Sequence, residues 1–143
     1  MEAPSNNFKK RNAILNYLQH TNEHPSAETI FSDLKAEIPD LSMGTVYRNL
    51  KHFQQQGLVN CIATVHGVER FDANTAPHVH FICEGCDAVI DLHQLSTPQA
   101  LCAEAEGSIG CSVSGCQLSF TGKCRTCLTP EASTQSTKGH CPI

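Results

Sequence analysis

Two Cys-x-x-Cys pairs, Cys83/Cys86 and Cys124/Cys127, are the strongest chemical signal in this sequence of 143 residues. A turn of this spacing lets two sulfurs converge on one ion at about 2.3 Å, and soft thiolates select zinc over magnesium or calcium. The pairs therefore predict a tetrahedral structural zinc site. A rubredoxin-like iron centre or a thiol-disulfide switch built from the same cysteines is the alternative.

The other cysteines share no such spacing, and we expect each to be buried apolar filler or an idle thiol. They are Cys61, Cys102, Cys111, Cys116 and Cys141. The first twenty residues contain no apolar run of signal-peptide length, so a cytoplasmic protein with metal-bound or redox-active thiols is expected rather than a disulfide framework. Nowhere do eighteen apolar residues run together, which argues against a membrane span.

A second group of donors lies in and around the stretch HVHFICEGCDAVID. His78 and His80 are two apart on a predicted strand, so both point to one face from backbone positions about 7 Å apart, and two such imidazoles can share an ion. Asp91 and Asp72 supply hard oxygen ligands, which suit iron or manganese better than zinc. His24 completes the set only if the fold brings it there, because a lone histidine before a proline is more often a surface residue.

The first half of the sequence predicts three short helices and a β-hairpin. Residues 8–20 have helical apolar spacing, Ser26 caps a second helix, and a third runs from the cap Ser42 to Gly57. Two β-prone runs flank His66-Gly67 and indicate a hairpin. Three helices followed by a hairpin make a winged helix, whose third helix enters the DNA major groove.

The third predicted helix has an apolar and a polar face. Val46, Leu50 and Phe53 recur at helical spacing and are expected to pack inward. The opposite face carries an aromatic hydroxyl, a guanidinium and an ammonium that can reach base edges and phosphates, although an ordinary solvated face fits the same pattern. These residues are Tyr47, Arg48 and Lys51.

The charge distribution indicates at most a local basic surface. The net charge is −4, but residues 1–60 hold six Lys or Arg against six Asp or Glu, so the excess acidity lies in the second half. Lys9, Lys10 and Arg11 cluster in the neutral half and are expected to approach phosphates.

Beyond Asn74 the sequence changes character. Strands over 78–83 and 88–92, a helix over TPQALCAEAE and a further strand over CSVSGCQLSF predict a small α/β domain. We therefore expect an α+β protein with a winged-helix DNA-binding domain over 1–74 and an α/β domain over 75–128. A disordered tail rich in Ser, Thr, Gln and Gly is expected over 129–143.

Six motifs occur in a characteristic order: HPSAETIF, LSMGTVYRNLKHFQQQGLV, RFD, HVHFICEGC, AVIDL and CRTC. Over roughly residues 8 to 127 the chain resembles the ferric uptake regulator (Fur) superfamily of metal-dependent repressors. The resemblance implies a winged-helix domain, an α/β dimerisation domain and a homodimer on palindromic operator DNA. It also implies structural zinc on the two cysteine pairs and a regulatory iron or manganese ion on His24, Asp72, His78, His80 and Asp91.

Asp72 in the RFD motif resembles the peroxide-sensing (PerR) branch, because iron-uptake regulators typically have Glu there. The implied mechanism is iron-catalysed oxidation of a ligand histidine, His24 or His78, followed by release of DNA. An iron- or manganese-responsive repressor without peroxide sensing is the alternative. A zinc hydrolase or deaminase would need H-x-E with P-C-x-x-C, and here His80 follows His78 by two, so we do not expect an enzyme.

Overall fold

The computed structural model describes residues 5–95 and 98–129, and the chain divides into two compact units between Thr75 and Ala76. Both units combine helices with strands, which gives the α+β class expected from the sequence. The predicted disordered tail, apart from Thr129, lies outside the described residues.

The described part of unit 1 (residues 1–75) contains three helices followed by two strands. Each helix begins after a serine, Ser5, Ser26 or Ser42, whose side chain accepts a hydrogen bond from an N–H of the first turn, as N-caps do. The elements are α1 (Asn6–Gln19), α2 (Ala27–Leu34), α3 (Met43–Gln55), β1 (Asn60–Val65) and β2 (Val68–Asp72).

Strands β1 and β2 form an antiparallel hairpin around His66 and Gly67. These two residues have φ values of 50° and 80°, the positive angles that a tight two-residue hairpin turn requires at both central positions. Phe71 and Asp72, at the end of β2, are both buried.

The core of unit 1 is formed by apolar residues from all three helices and the hairpin. The inward packing of Val46, Leu50 and Phe53 is confirmed, since each is at most 1% exposed. Burying a side chain of this size contributes about 1.5–3 kcal/mol. The core consists of Ile14, Leu18, Ala27, Ile30, Leu34, Leu41, Val46, Leu50, Phe53, Val59 and Phe71.

Unit 2 (residues 76–143) contains a three-stranded sheet in the order β4-β3-β5 within its described part. Strand β4 is antiparallel to β3, whereas β5 is parallel to it. Its elements are β3 (Val79–Cys83), β4 (Val89–Leu92), α4 (Pro98–Ile109), β5 (Ser119–Gly122) and α5 (Arg125–Leu128).

The prediction of a strand over residues 111–120 is wrong for most of that range. Only Ser119 and Phe120 belong to β5, which continues to Gly122. Serines and Gly115 precede it, and these residues pack poorly on a pleated surface.

No helix in the described ranges is long and apolar enough to cross a membrane.

Candidate metal centres and nucleic-acid interface

The parallel pairing of β3 and β5 brings the two cysteine pairs together. Cys83 ends β3 and faces Gly122, the last residue of β5, so the carboxyl ends of both strands lie at one edge. Cys86 follows in the turn toward β4, while Cys124 caps α5 and Cys127 lies within it. Residues some forty positions apart thus meet because two strands run in the same direction.

The four sulfurs form a compact cluster with ligand atoms within 4.8 Å of one another. Cys86 Sγ lies 3.9 Å from Cys124 Sγ, and Cys83 and Cys124 are buried. None of the eight cysteines in the described ranges forms a disulfide. The donor set therefore fits a tetrahedral thiophilic ion such as zinc.

Acid-base chemistry at the cluster also favours a bound cation. Burial opposes ionisation of Cys83, but the N–H groups of Cys124 and Gly85 donate to its sulfur and its pKa falls below the ordinary value. Burial raises the pKa of Cys86, and the neighbouring Cys124 sulfur together with burial raises that of Cys127 to about 11. Four thiolates at this spacing need a positive ion to ionise together.

Gly85 allows the first Cys-x-x-Cys turn to pack against the second. A Cβ at this position would lie 2.9 Å from Cys127 Sγ and 3.0 Å from Cys127 Cβ. Any side chain there would displace a sulfur of the cluster.

Unit 1 holds one imidazole and one carboxylate of the predicted regulatory set. His24 Nε2 lies 3.5 Å from Asp72 Oδ2, and their side chains are 3% and 9% exposed. The prediction from the local sequence that His24 lies at the surface is therefore wrong. A buried imidazole beside a buried carboxylate is a nitrogen and oxygen pair suited to a divalent ion.

The backbone around His24 is held by the hairpin. His24 has a φ of 50°, a left-handed conformation that is uncommon for a residue with a side chain. The Arg70 guanidinium donates to the carbonyl oxygens of Glu23 and His24, and the Phe71 N–H donates to Pro25 O. These contacts from β2 fix the loop whose histidine approaches Asp72.

Unit 2 holds the other three predicted donors. His80 and Asp91 are direct cross-strand partners in the β3–β4 ladder, which sets their side chains on one face of the sheet. Asp91 Oδ1 lies 3.1 Å from His78 Nε2 and 3.3 Å from His80 Nε2. Two imidazoles and a carboxylate thus converge on one small region.

The orientation of His78 leaves a specific nitrogen for metal binding. Its Nδ1 lies 2.6 Å from the carbonyl oxygen of Ala76. Since a carbonyl oxygen only accepts, Nδ1 donates this hydrogen bond, and Nε2 is the nitrogen that can bind a metal ion. Nε2 is the atom that faces Asp91.

Helix α3 presents the predicted polar face to solvent, with Tyr47, Arg48 and Lys51 all exposed. The Tyr47 hydroxyl donates to Glu28 Oε1 at 2.7 Å, and Arg48 Nη2 donates to Thr45 Oγ1 at 3.2 Å. Guanidinium and ammonium groups are thus held on one exposed helix face, while the tyrosine hydroxyl is directed at a carboxylate.

The basic cluster on α1 divides into different environments. Lys9 and Arg11 are exposed, and Arg11 Nε donates to Asn49 Oδ1 at 3.2 Å, which ties it to α3. Lys10 is instead 8% exposed. Its ammonium lies 2.7 Å from Asp40 Oδ2 and donates to Asp40 O. The expectation that Lys10 lies with its neighbours on a phosphate-facing surface is therefore wrong, because its spacing of four from Ile14 directs it inward.

The other thiols in the described ranges do not belong to the four-sulfur cluster. Cys61 and Cys102 are half-buried, whereas Cys111 and Cys116 are exposed and so are not apolar filler. Cys141 lies outside the described residues.

Sequence reasoning missed three residues around these sites: Glu28, Arg70 and His93. His93 Nε2 lies 3.8 Å from Asp91 Oδ2. Its signal was available, because Asp91 and His93 repeat the two-residue spacing of His78 and His80. Glu28 and Arg70 gave no such signal, since their partners lie 19 or more residues away.

Comparison with known proteins gives consistent relatives. The chain is 36% identical over 124 residues to the peroxide operon regulator of Bacillus subtilis, covering 85% of this chain and 83% of that protein. It is 33% identical over 120 residues to the peroxide-responsive repressor PerR of Staphylococcus epidermidis, covering 82% and 78%.

Solved structures of similar fold include a peroxide stress regulator and a ferric uptake regulator. The peroxide stress regulator of Campylobacter jejuni matches with a TM-score of 0.72 and 27% identity, over 85% of this chain and 90% of that one. The iron-containing ferric uptake regulator of Francisella tularensis matches with a TM-score of 0.70 and 26% identity, over 88% and 98%. The family model described as the ferric uptake regulator family matches residues 6–121. The chain belongs to the ferric uptake regulator family.

Proposed function

We propose that this chain is a cytoplasmic, metal-dependent transcriptional repressor that senses peroxide through oxidation of a ligand histidine. The observation that carries the proposal is the pair of donor sets, His24 with Asp72 in unit 1 and His78 and His80 with Asp91 in unit 2. Relatives named as peroxide regulators support the sensing role.

Both donor sets act on the same regulatory ion, iron or manganese, while the four cysteines bind structural zinc. Nitrogen and oxygen donors suit the harder ions, and thiolates suit zinc. An ion that binds donors of both units stabilises one arrangement of them, so its occupancy is coupled to DNA affinity.

Ferrous iron supplies redox chemistry at the regulatory site, which zinc does not have. His24 and His78 are the residues we expect to be modified: one oxygen atom of peroxide adds to an imidazole carbon and the other leaves as water. The modified ring is a poorer ligand. Repression then ends because the ion no longer favours the DNA-binding arrangement.

Unit 1 acts as a winged-helix DNA-binding domain. Its exposed α3 face carries Tyr47, Arg48 and Lys51, and α1 adds Lys9 and Arg11. Arg48 reads a base edge in the major groove, whereas the lysines and Arg11 neutralise phosphates. We leave Lys10 out of this surface because its ammonium is paired with Asp40.

Unit 2 acts as the dimerisation domain. Large apolar side chains are exposed on it, including Leu101 and Ile109 of α4 and Phe120 of β5, and a second copy of the chain would cover them. A two-fold dimer places two α3 helices on the two halves of palindromic operator DNA.

Metal-dependent DNA binding tests the repressor assignment. Zinc-loaded protein should shift promoter DNA in gel electrophoresis only when Mn²⁺ or Fe²⁺ is added, and His80→Ala should remove the metal effect. Arg48→Ala should cost about 1–3 kcal/mol of specific affinity, while Lys9→Ala should weaken binding to all sequences alike. If metal does not change DNA affinity, the repressor assignment fails.

Peptide mass spectrometry after stoichiometric peroxide tests the sensing role. The iron form should gain one oxygen atom on a peptide containing His24 or His78, and the manganese form should not. If iron-loaded protein keeps both histidines unmodified and stays on its operator, an iron- or manganese-responsive repressor without peroxide sensing is the better account.

A further inference from the structure

His93 extends the donor array of unit 2 by one residue. In the β3–β4 ladder His80 pairs with Asp91 and Val79 with Leu92, and His78 and His93 are the first residues beyond this end of the ladder. Alternate residues of a strand share a face, and cross-strand partners face the same side. Three imidazoles and a carboxylate lie close together at the end of the ladder.

The two carboxylate oxygens of Asp91 face different histidines. Its Oδ1 faces His78 Nε2 and His80 Nε2 at 3.1 and 3.3 Å, whereas its Oδ2 lies 3.8 Å from His93 Nε2. The His93 ring is also stacked on that of His78, with centroids 6.3 Å apart and an interplanar angle of 25°. His93 thus lies beside both a donor carboxylate and a donor imidazole.

The side chain of His93 is much more exposed to solvent than those of the donors beside it. The side chain of His93 is 69% exposed, whereas those of His78, His80 and Asp91 are 9–14% exposed. A residue on the outer side of a ligand carboxylate can fix its orientation without binding the ion. The same ring limits rotation of His78, whose Nδ1 is already held by Ala76 O.

We propose that His93 is a positioning residue of the regulatory metal site, which holds the outer oxygen of Asp91 and the ring of His78. With His93 beside Oδ2 on the outer side, Oδ1 and His78 Nε2 stay directed at the ion. This inference rests on the proposed metal-dependent function.

The test is Mn²⁺ binding by the full-length, zinc-loaded protein, measured by electron paramagnetic resonance without DNA. His93→Ala should lower Mn²⁺ affinity about tenfold, the lower end of the range for outer-sphere partners, because the side chain is largely exposed. The spectrum of bound Mn²⁺ should also change. His93→Gln, which keeps a donor near the position of Nε2, should recover most of the affinity and the wild-type spectrum.

The controls separate failure of this inference from failure of the function. His20→Ala removes an exposed imidazole on unit 1 and should leave affinity and spectrum unchanged, and zinc content should stay constant in every variant. If wild type does not bind Mn²⁺, or His80→Ala binds it equally well, the proposed regulatory site is wrong. If His80→Ala abolishes binding while His93→Ala keeps the wild-type affinity and spectrum, His93 has no positioning role. If His93→Ala and His93→Gln both abolish binding, His93 is a direct ligand and the proposal is overturned.

Discussion

Single side chains at the candidate sites depend on neighbours that leave little freedom. Gly85 is the clearest example, because the space a Cβ would occupy is filled by Cys127. Tyr47 is another, since its hydroxyl is held by a carboxylate of a different helix. Both contacts lead to tests with matched controls.

Gly85→Ala should weaken zinc binding. The added methyl group must displace Cys127, and overpacking of this kind costs about 1–3 kcal/mol. We expect zinc to be lost to a chelator at concentrations that wild type withstands, measured with a colorimetric zinc indicator. Gly107→Ala is the control, because no atom lies within 4 Å of its Cβ position and alanine favours the interior of α4. Equal zinc retention by both variants would contradict the close approach.

Tyr47→Phe should destabilise the protein at neutral pH but not in acid. The Tyr47 hydroxyl holds the pKa of Glu28 below its ordinary value of 4.5. A carboxyl whose pKa is lower in the folded state stabilises the fold above its unfolded-state pKa and loses that effect as pH falls through the folded value. The melting temperatures of wild type and variant should therefore differ slightly at pH 7 and converge below 4.5. A difference that stays constant with pH would exclude this origin. In a Glu28→Gln background, the effect of Tyr47→Phe on the melting temperature should no longer depend on pH over this range, because an amide does not titrate.

The helices of unit 1 are joined by polar contacts as well as by the core. The ion pair of Lys10 with Asp40 ties α1 to the loop before α3, and Arg11 with Asn49 ties α1 to α3 itself. The position of α3 within unit 1 therefore depends on α1, although the paired residues are 30 and 38 positions apart in the sequence.

Lys10→Met should lower the melting temperature by several degrees, whereas Lys9→Met should not. Lys10 loses an ion pair and a hydrogen bond to a carbonyl, both near a buried stem, whereas Lys9 is exposed. Thermal unfolding by circular dichroism makes the comparison. In DNA binding the order should reverse, with Lys9→Met causing the larger loss of affinity and of salt dependence. Equal melting temperatures would mean that the Lys10 pair contributes no stability.

Across the whole molecule, the two units rely on different sources of stability. Unit 1 has an apolar core drawn from three helices and a hairpin. In the described part of unit 2, the buried core includes Val79, Val89, Cys83 and Cys124, so two of its buried residues belong to the sulfur cluster. In such a domain, the free energy of metal binding to the thiolates contributes directly to the free energy of folding.

Removal of zinc should unfold unit 2 while unit 1 stays folded. After chelation or in Cys124→Ser, hydrogen exchange measured by mass spectrometry should rise over residues 76–129 and stay slow in the core helices of residues 5–75. The regulatory donors of unit 2 should then lose Mn²⁺ as well. A zinc-free protein with unchanged exchange over β3, β4 and β5 would contradict a structural role for the metal.

Local patterns in the sequence were sufficient for the elements and for the chemistry of the donors. Ser26 and Ser42 begin helices, His66-Gly67 turns the hairpin, and the Cys-x-x-Cys spacing predicted a four-sulfur cluster that the structure brings together. The caps, the turn and each Cys-x-x-Cys pair depend on residues within a few positions of one another, where steric and hydrogen-bonding preferences act directly. The meeting of the two cysteine pairs depends instead on the parallel pairing of β3 and β5.

Long-range packing decided the rest. The burial of His24 depends on the contacts of Arg70 and Phe71 with its loop, and the inward position of Lys10 depends on Asp40. His24 and Arg70 are separated by 46 residues, and Lys10 and Asp40 by 30, and neither helical nor strand periodicity carries information over such distances. Side chains that local patterns leave ambiguous acquire a role only when packing selects one set of neighbours, because desolvation and hydrogen bonding are determined by what lies next to a group in space.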